Sequence, residues 1–223
     1  MSDYSDSPGV ECFEALPADT FEAIGSSAST IRRDFLLRWN VPPSIAEKLS
    51  SSSTRQMFNY STQSMTIKLL TGAHDTASRG LTFAVRDAVR DIGLPRSYPV
   101  GSKRIQGVSC AKEPDESFSL RQPVTGRDEK WPIIAVEVRV SDAYLKLNAD
   151  AAWWLTSSQG QVKLVVIVCI NRKIPENHCP SDSSSVKFEE LFCRQPVPPE
   201  HDIEISIDQL KDISDNVWSE QNL

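Results

Sequence analysis

Residues Ile133–Val140 read IIAVEVRV, Ser141–Thr156 read SDAYLKLNADAAWWLT, and Val162–Ile170 read VKLVVIVCI. The first and last of these are apolar on both sides of an extended chain, as strands covered on both faces are. Between them, Ser141 can cap a helix that runs from Asp142 to about Thr156 and carries Leu145, Leu147, Trp153, Trp154 and Leu155. Strand, helix, strand in that order is a βαβ unit, whose two strands lie parallel and whose crossover is right-handed. The chain is therefore read as α/β, with a mixed central sheet flanked by helices.

The pattern extends in both directions from this unit. Met65, Ile67 and Leu69 alternate with Ser64, Thr66 and Lys68, which predicts a half-buried strand. A helix is expected from about Ala73 to Ile92, with Leu81, Val85, Ala88 and Ile92 on one stripe and Gly93-Leu94-Pro95 as its stop. Short strands follow through Val108 and Cys110 as far as Lys112. Beyond the βαβ unit the pattern predicts strands over Val186–Phe192 and Ile203–Ile207 and a closing helix over Asp208–Trp218. The N-terminal part reads as a polar, acidic start over 1–12 that is expected to be disordered, then short helices. Pro17 opens the first, and Ser29 or Thr30 caps the second, which has Ile31, Phe35, Leu36 and Trp39 on one face. One domain is expected over 1–223: a helical extension over 1–58, a core over 59–175, and C-terminal strands and helix over 176–223.

Composition narrows the function classes. The longest purely apolar run, Leu164–Ile170, has seven residues, far below the ~20 of a membrane span. The N-terminus shows no basic start followed by an apolar stretch, so no signal peptide is expected. Five cysteines, an odd number without CxxC spacing, read as free thiols of a reducing compartment, which predicts an intracellular protein, cytoplasmic or nuclear. The net charge of −6 disfavours a protein that coats nucleic acid without specificity. The charge is unevenly spread, however. His74 to Lys112 holds seven basic and three acidic residues, whereas Glu176 to the end holds three basic and eleven acidic. No P-loop, GxGxxG or GxSxG occurs, so nucleotide-binding and serine-hydrolase chemistry are disfavoured.

Glu137 is the informative residue. It shares a strand face with Ile133, Ala135 and Arg139, where a carboxylate is costly to desolvate without a counter-charge or a metal. A structural ion pair explains such a residue as readily as chemistry does. Asp115, after Pro114, supplies a second carboxylate about twenty residues upstream. Two carboxylates on adjacent strands can hold a hard cation, Mg²⁺ or Mn²⁺, with a basic residue nearby to neutralise developing charge.

This P-D … E-x-R spacing resembles the PD-(D/E)XK nuclease superfamily, and the surrounding text makes the likeness more specific. KEPDESF at Lys112–Phe118 and WPIIAVEVRVSDAYLKLNADAAWWL at Trp131–Leu155 are similar to a family of fungal restriction-endonuclease-like proteins. That family reads KEPDxSF, WPxxVVEVGxSES, DAxWWL and then VKIV. The likeness covers roughly 59–218 and implies a restriction-endonuclease-like core that acts on DNA. It implies Asp115 and Glu137 as metal ligands and sets Asp75, after His74, at the place of an acidic residue on the first helix. Where the superfamily has lysine this chain has Arg139, which can grip phosphate but cannot act as a base. Lys163, entering the next strand, is open for that role. Lys146 reads first as an i,i+4 surface partner of Asp150.

Arg79, Arg86 and Arg90 on the expected helix, with Lys103 and Arg104, form a candidate phosphate-tracking patch, although a solvated helix face explains them equally well. Trp153 and Trp154 read as core anchors. The alternative to a DNA-cleaving enzyme is a catalytically degenerate nuclease-fold protein that binds nucleic acid or protein.

Overall fold

The computed structural model describes residues 35–38, 40–48, 54–92, 97–140, 144–170 and 184–221. Two larger sheets organise them, beside an antiparallel pair of Ser184–Val186 with Ile203–Ile205. The first runs in the order β1 (Phe35–Arg38), β3 (Ser64–Leu69), β2 (Thr54–Asn59), β6 (Cys110–Lys112) and β5 (Ile105–Gln106), with every neighbour antiparallel. The second runs β4 (Ser97–Pro99), β7 (Glu116–Leu120), β8 (Ile134–Val140) and β9 (Leu164–Ile170). It is mixed: β4, β7 and β8 pair antiparallel, and β8 pairs parallel with β9.

The parallel β8–β9 pair is joined by a helix, Tyr144–Ser157, as the patterning predicts; in order along the described chain it is α3, after α1 (Pro43–Ala46) and α2 (Gly72–Asp91). Alternation along β8 then sorts its side chains. Val136 and Val138 join Leu81, Val85 and Val89 of α2 in the larger core, together with Val217 of the closing helix, Ile207–Gln221. Ala135 faces the other way, into a cluster of Trp131, Trp153, Trp154 and Val162 that Met57, Ile105 and Cys110 of the first sheet complete. That approach is close at Gly107, where a Cβ would lie 3.1 Å from the Trp153 ring and 3.2 Å from the Cys110 carbonyl oxygen. The residue after β5 must therefore be small.

Several expectations are corrected. The single central sheet is two sheets, because the chain leaves one at Lys112 and enters the other at Glu116. A strand at Thr54–Asn59 lies ahead of the expected core boundary at 59 and forms the centre of the first sheet. Phe35–Arg38, read as part of a helix, is an edge strand because it pairs with Met65–Lys68. Val186–Phe192, read as one strand, is β10 (Ser184–Val186) followed by a short helix, α4 (Phe188–Phe192), with the closing helix as α5. Phe188, Leu191 and Phe192 sit at i, i+3 and i+4 and are buried together, and tertiary packing enforces that helical period. The helix expected to open at Pro17 lies outside the described residues. No described helix is long and apolar enough to cross a membrane.

Phe118 is fully buried in the larger core, whereas Val108, in the turn before β6, is 94% exposed. Phe118→Ala is expected to cost roughly 3–5 kcal/mol in denaturant unfolding, and Val108→Ala less than about 0.5 kcal/mol.

Candidate active site

Lys112-Glu113-Pro114-Asp115 is the crossing between the two sheets, and all four residues are buried. Lys112 ends β6 opposite Met57 and Ile105. Glu113 extends the first sheet by one step, its N–H donating to the Gln56 carbonyl and its Oε2 accepting from the Gln56 N–H at 3.1 Å. Asp115 does the same for the second sheet. Its N–H donates to the Val136 carbonyl at 3.0 Å, and its Oδ2 accepts from the Val138 N–H at 2.6 Å. The motif thus supplies side chains where strand backbone runs out, which fixes the Asp115 carboxylate beside β8 next to Glu137.

Two further groups converge on Asp115. The Lys68 ammonium, from β3, donates to Oδ2 and also to the Val138 carbonyl, tying the two sheets together. His74, in the first turn of α2, sets Nε2 3.1 Å from the same oxygen. Burial pushes the Asp115 carboxyl up, but the charge of Lys68 and the histidine contact together outweigh it and hold the carboxyl below the usual carboxylate range. Oδ1 of Asp115 is buried without a hydrogen-bond partner among the described residues.

Glu137 is buried on the tryptophan face of β8. Its Oε1 accepts from the Trp154 indole N–H at 2.6 Å and lies 3.0 Å from the Lys112 ammonium. Burial raises its pKa, the charge of Lys112 opposes that, and the charges of Asp150 and Asp115 add to it. The Lys112 ammonium stands 2.7 Å from Asp150 of α3 and 5.5 Å from the centre of the Trp154 ring. Asp150 also pairs with Lys146, and its Oδ2 lies 3.9 Å from the Arg139 guanidinium. Burial opposes the ionised state of Asp150, yet Lys112 and Lys146 together hold its pKa down. Burial, which outweighs Asp150, lowers Lys146 to about 7. Arg55, Lys68, Lys112, Glu137, Lys146 and Asp150 line a small cleft over this cluster.

Asp115 and Glu137 thus enter one buried cluster, and the other sequence candidates divide. The two-residue spacing of Glu137 and Arg139 on one strand face invites an ion pair between them, yet Arg139 is buried near Asp150 and the partners found for Glu137 are Lys112 and Trp154. Asp75 is 45% exposed and meets the cluster through Nδ1 of its neighbour His74, 3.7 Å away. Lys163 is exposed at the foot of β9. Glu137 stands opposite Ile167, four residues farther along the strand, or about 13 Å. Lys146 does pair with Asp150, but the pair is not a surface one, because Asp150 is buried. Arg79, Arg86, Arg90 and Lys103 are exposed, and Arg86 and Arg90 share Asp87. Arg104 is half-buried and donates to the Ala46 carbonyl at 2.6 Å, which is a structural use. The residues missed by sequence reasoning are Lys68, His74, Lys112 and Asp150. Lys112 stands inside the KEPD motif and could have been singled out there.

The fold is similar to the crystal structure of a candidate nuclease belonging to DUF820 from Anabaena variabilis, at 14% identity and a TM-score of 0.48. The match covers 77% of this chain and 97% of that one. No protein-family model and no curated protein matches the chain.

The ionisation pattern fixes a pH response. Asp115 and Asp150 are lowered from 3.8, so their contribution to stability is present above that value and is lost as pH falls through the folded-state pKa. Lys112 is raised from 10.5, so its contribution holds below 10.5 and is lost as pH rises past it. The melting temperature is expected to fall below about pH 4 and above about pH 10.5. The acid limb should be shallower in Asp150→Asn when each protein is referred to its own value at pH 7.

Proposed function

We propose that this cluster is the active site of a metal-dependent phosphodiester hydrolase acting on DNA, with Asp115 and Glu137 as its metal-holding carboxylates. One observation carries the reading. Asp115 is clamped to the β8 backbone at Val138, next to Glu137, a lysine accompanies each carboxylate, and both lysines and Glu137 line one cleft. A hard cation suits the donor set, since Asp115 Oδ1 is a buried carboxylate oxygen without a hydrogen-bond partner among the described residues. The chemistry that Mg²⁺ or Mn²⁺ supplies in such a place is polarisation of the phosphoryl group and acidification of water.

The chain's own residues do the rest. His74 and the Val138 N–H orient Asp115, and the Trp154 indole N–H holds Glu137 in one rotamer. Lys112 takes the role left open by Arg139: its ammonium stands beside Glu137, where it can neutralise charge growing on the phosphate oxygens. Lys146, at about 7, can hold or release a proton near neutral pH at the cleft wall. Exposed Arg79, Arg86, Arg90 and Lys103 would follow the DNA backbone electrostatically. The resemblance of KEPDESF and WPIIAVEVRV to the fungal restriction-endonuclease-like family supports the same reading.

A second reading, a nuclease-fold protein that binds without turnover, is favoured by the tight pairing of Asp115 with Lys68 and of Glu137 with Lys112. Incubation of the protein with plasmid and single-stranded DNA in Mg²⁺ or Mn²⁺ decides between them. The hydrolase is expected to cut, and Asp115→Asn and Glu137→Gln to lose at least about 100-fold in rate. Intact DNA of both kinds with well-folded wild-type protein would leave the second reading standing.

A further inference from the structure

The helix α2 turns one face to solvent. Between Asp75 and Asp91 its exposed positions are Arg79, Phe83, Arg86 and Arg90. Their spacing of four, three and four residues sets them on a single stripe, about 16 Å long at 1.5 Å per residue. Three arginines on one stripe stand out in a chain of net charge −6. Arg79 has no acidic partner among the described residues, and Arg86 and Arg90 share the one carboxylate of Asp87. Asp91, at the end of the helix, pairs with none of the three among the described residues. The stripe therefore keeps positive charge that a polyanion can match.

Phe83 breaks the run of arginines with a ring that is 52% exposed, and it is the only aromatic among the large apolar side chains exposed in the described residues. The Arg86 guanidinium lies 4.8 Å from the ring centre, and Asp87 accepts from its Nε and Nη2 at 3.3 and 3.2 Å. Asp87 thus steadies the cation over one side of the ring. No other ring or cation meets Phe83 among the described residues, so its second side is open. An open aromatic face set between cations suits an unpaired base, which stacks on the ring while the cations take the neighbouring phosphates. A duplex keeps its base faces stacked inside and offers the ring nothing. A protein partner would need a wider apolar patch, because interface cores are depleted in charge and every other position of the stripe is charged.

We propose that the exposed stripe of α2 is a platform for single-stranded DNA, on which Phe83 stacks a base, Arg79, Arg86 and Arg90 hold phosphates, and Arg86 also fixes the ring. The inference rests on the nucleic-acid part of the reading above and adds to it the strandedness of the substrate. Phe83 lies nine residues after His74, about two and a half turns, and so on the opposite side of the helix from the histidine that meets Asp115. The platform therefore holds a stretch of strand outside the cleft, and its residues touch no reacting group.

Fluorescence anisotropy in the presence of chelator, where no cutting competes, tests the platform with a labelled oligothymidine of about twenty nucleotides and a duplex of the same length. Wild type is expected to bind the oligothymidine more tightly than the duplex. Phe83→Ala and Phe83→Leu should each weaken oligothymidine binding about fivefold or more and leave the duplex unchanged, whereas Phe83→Trp should keep it. Arg79→Gln should lower the slope of log affinity against log salt for the oligothymidine by about 0.7. These positions are exposed, so the variants are expected to melt with wild type, which thermal unfolding checks. A Phe83→Leu variant that binds like wild type would reduce the ring to a plain apolar contact and overturn the platform. Equal or tighter binding of the duplex by wild type would overturn it too. Binding of neither DNA, with Phe83→Ala altering only self-association in sedimentation, would overturn it in favour of a protein interface. None of these measurements contains a metal, so each of these failures leaves the hydrolase to its own cleavage test, and intact DNA in that test leaves the platform to this one.

Discussion

The ammonium of Lys112, set between the carboxylates of Glu137 and Asp150 and close to two indole rings, is the interaction on which the rest of this structure depends. It lies where the five-stranded sheet, the four-stranded sheet and α3 meet, each contributing a charge. Apolar packing alone could join these layers, and a buried ion pair is often no more stabilising than the hydrophobic residues that could replace it. Once these carboxylates are buried there, however, the ammonium becomes hard to remove, because Glu137 loses its lysine and Asp150 is left to Lys146 and Arg139 alone. The Trp131, Trp153 and Trp154 cluster closes around the charges, keeps water away and strengthens every contact in the group.

The proposed function follows from the same arrangement. A site that binds and cuts a phosphodiester must hold negative charge for a metal and positive charge for the substrate within a few ångströms. Such groups neutralise one another when neither ligand is present. Here that mutual neutralisation has a definite form: Lys68 on Asp115, and Lys112 on Glu137. In the proposed reading, Lys112 of β6 supplies the lysine that the E-x-R pattern lacks, and Lys68 of β3 supplies a second. Arg139 lies by Asp150 of α3.

The sequence made the βαβ unit and the long helix α2 legible because both are local patterns: apolar runs of strand length, a capped helix, a clear stop. It also made Asp115 and Glu137 legible, the one through Pro-Asp and the other through its place in an apolar strand. Lys68 was not legible, since it reaches Asp115 across 47 residues of chain and nothing in its own alternating strand marks it as a partner. The two-residue spacing of Glu137 and Arg139 suggested an ion pair along one strand face. Asp150, delivered by a helix turn across the same face, and Lys112, from the other sheet, took those partnerships. The splitting of the sheet was hidden for the same reason: no local pattern shows that the Glu113 and Asp115 side chains continue two different ladders.

The most direct measurement is a double-mutant cycle in equilibrium unfolding at pH 7, comparing wild type, Lys112→Met, Glu137→Gln with Asp150→Asn, and the triple variant. If Lys112 is the counter-charge that makes the buried carboxylates tolerable, Lys112→Met alone costs roughly 3–5 kcal/mol, and most of that loss disappears when both carboxylates are already neutral. A Lys112→Met cost that is small, or equally large in the neutralised background, would contradict the account.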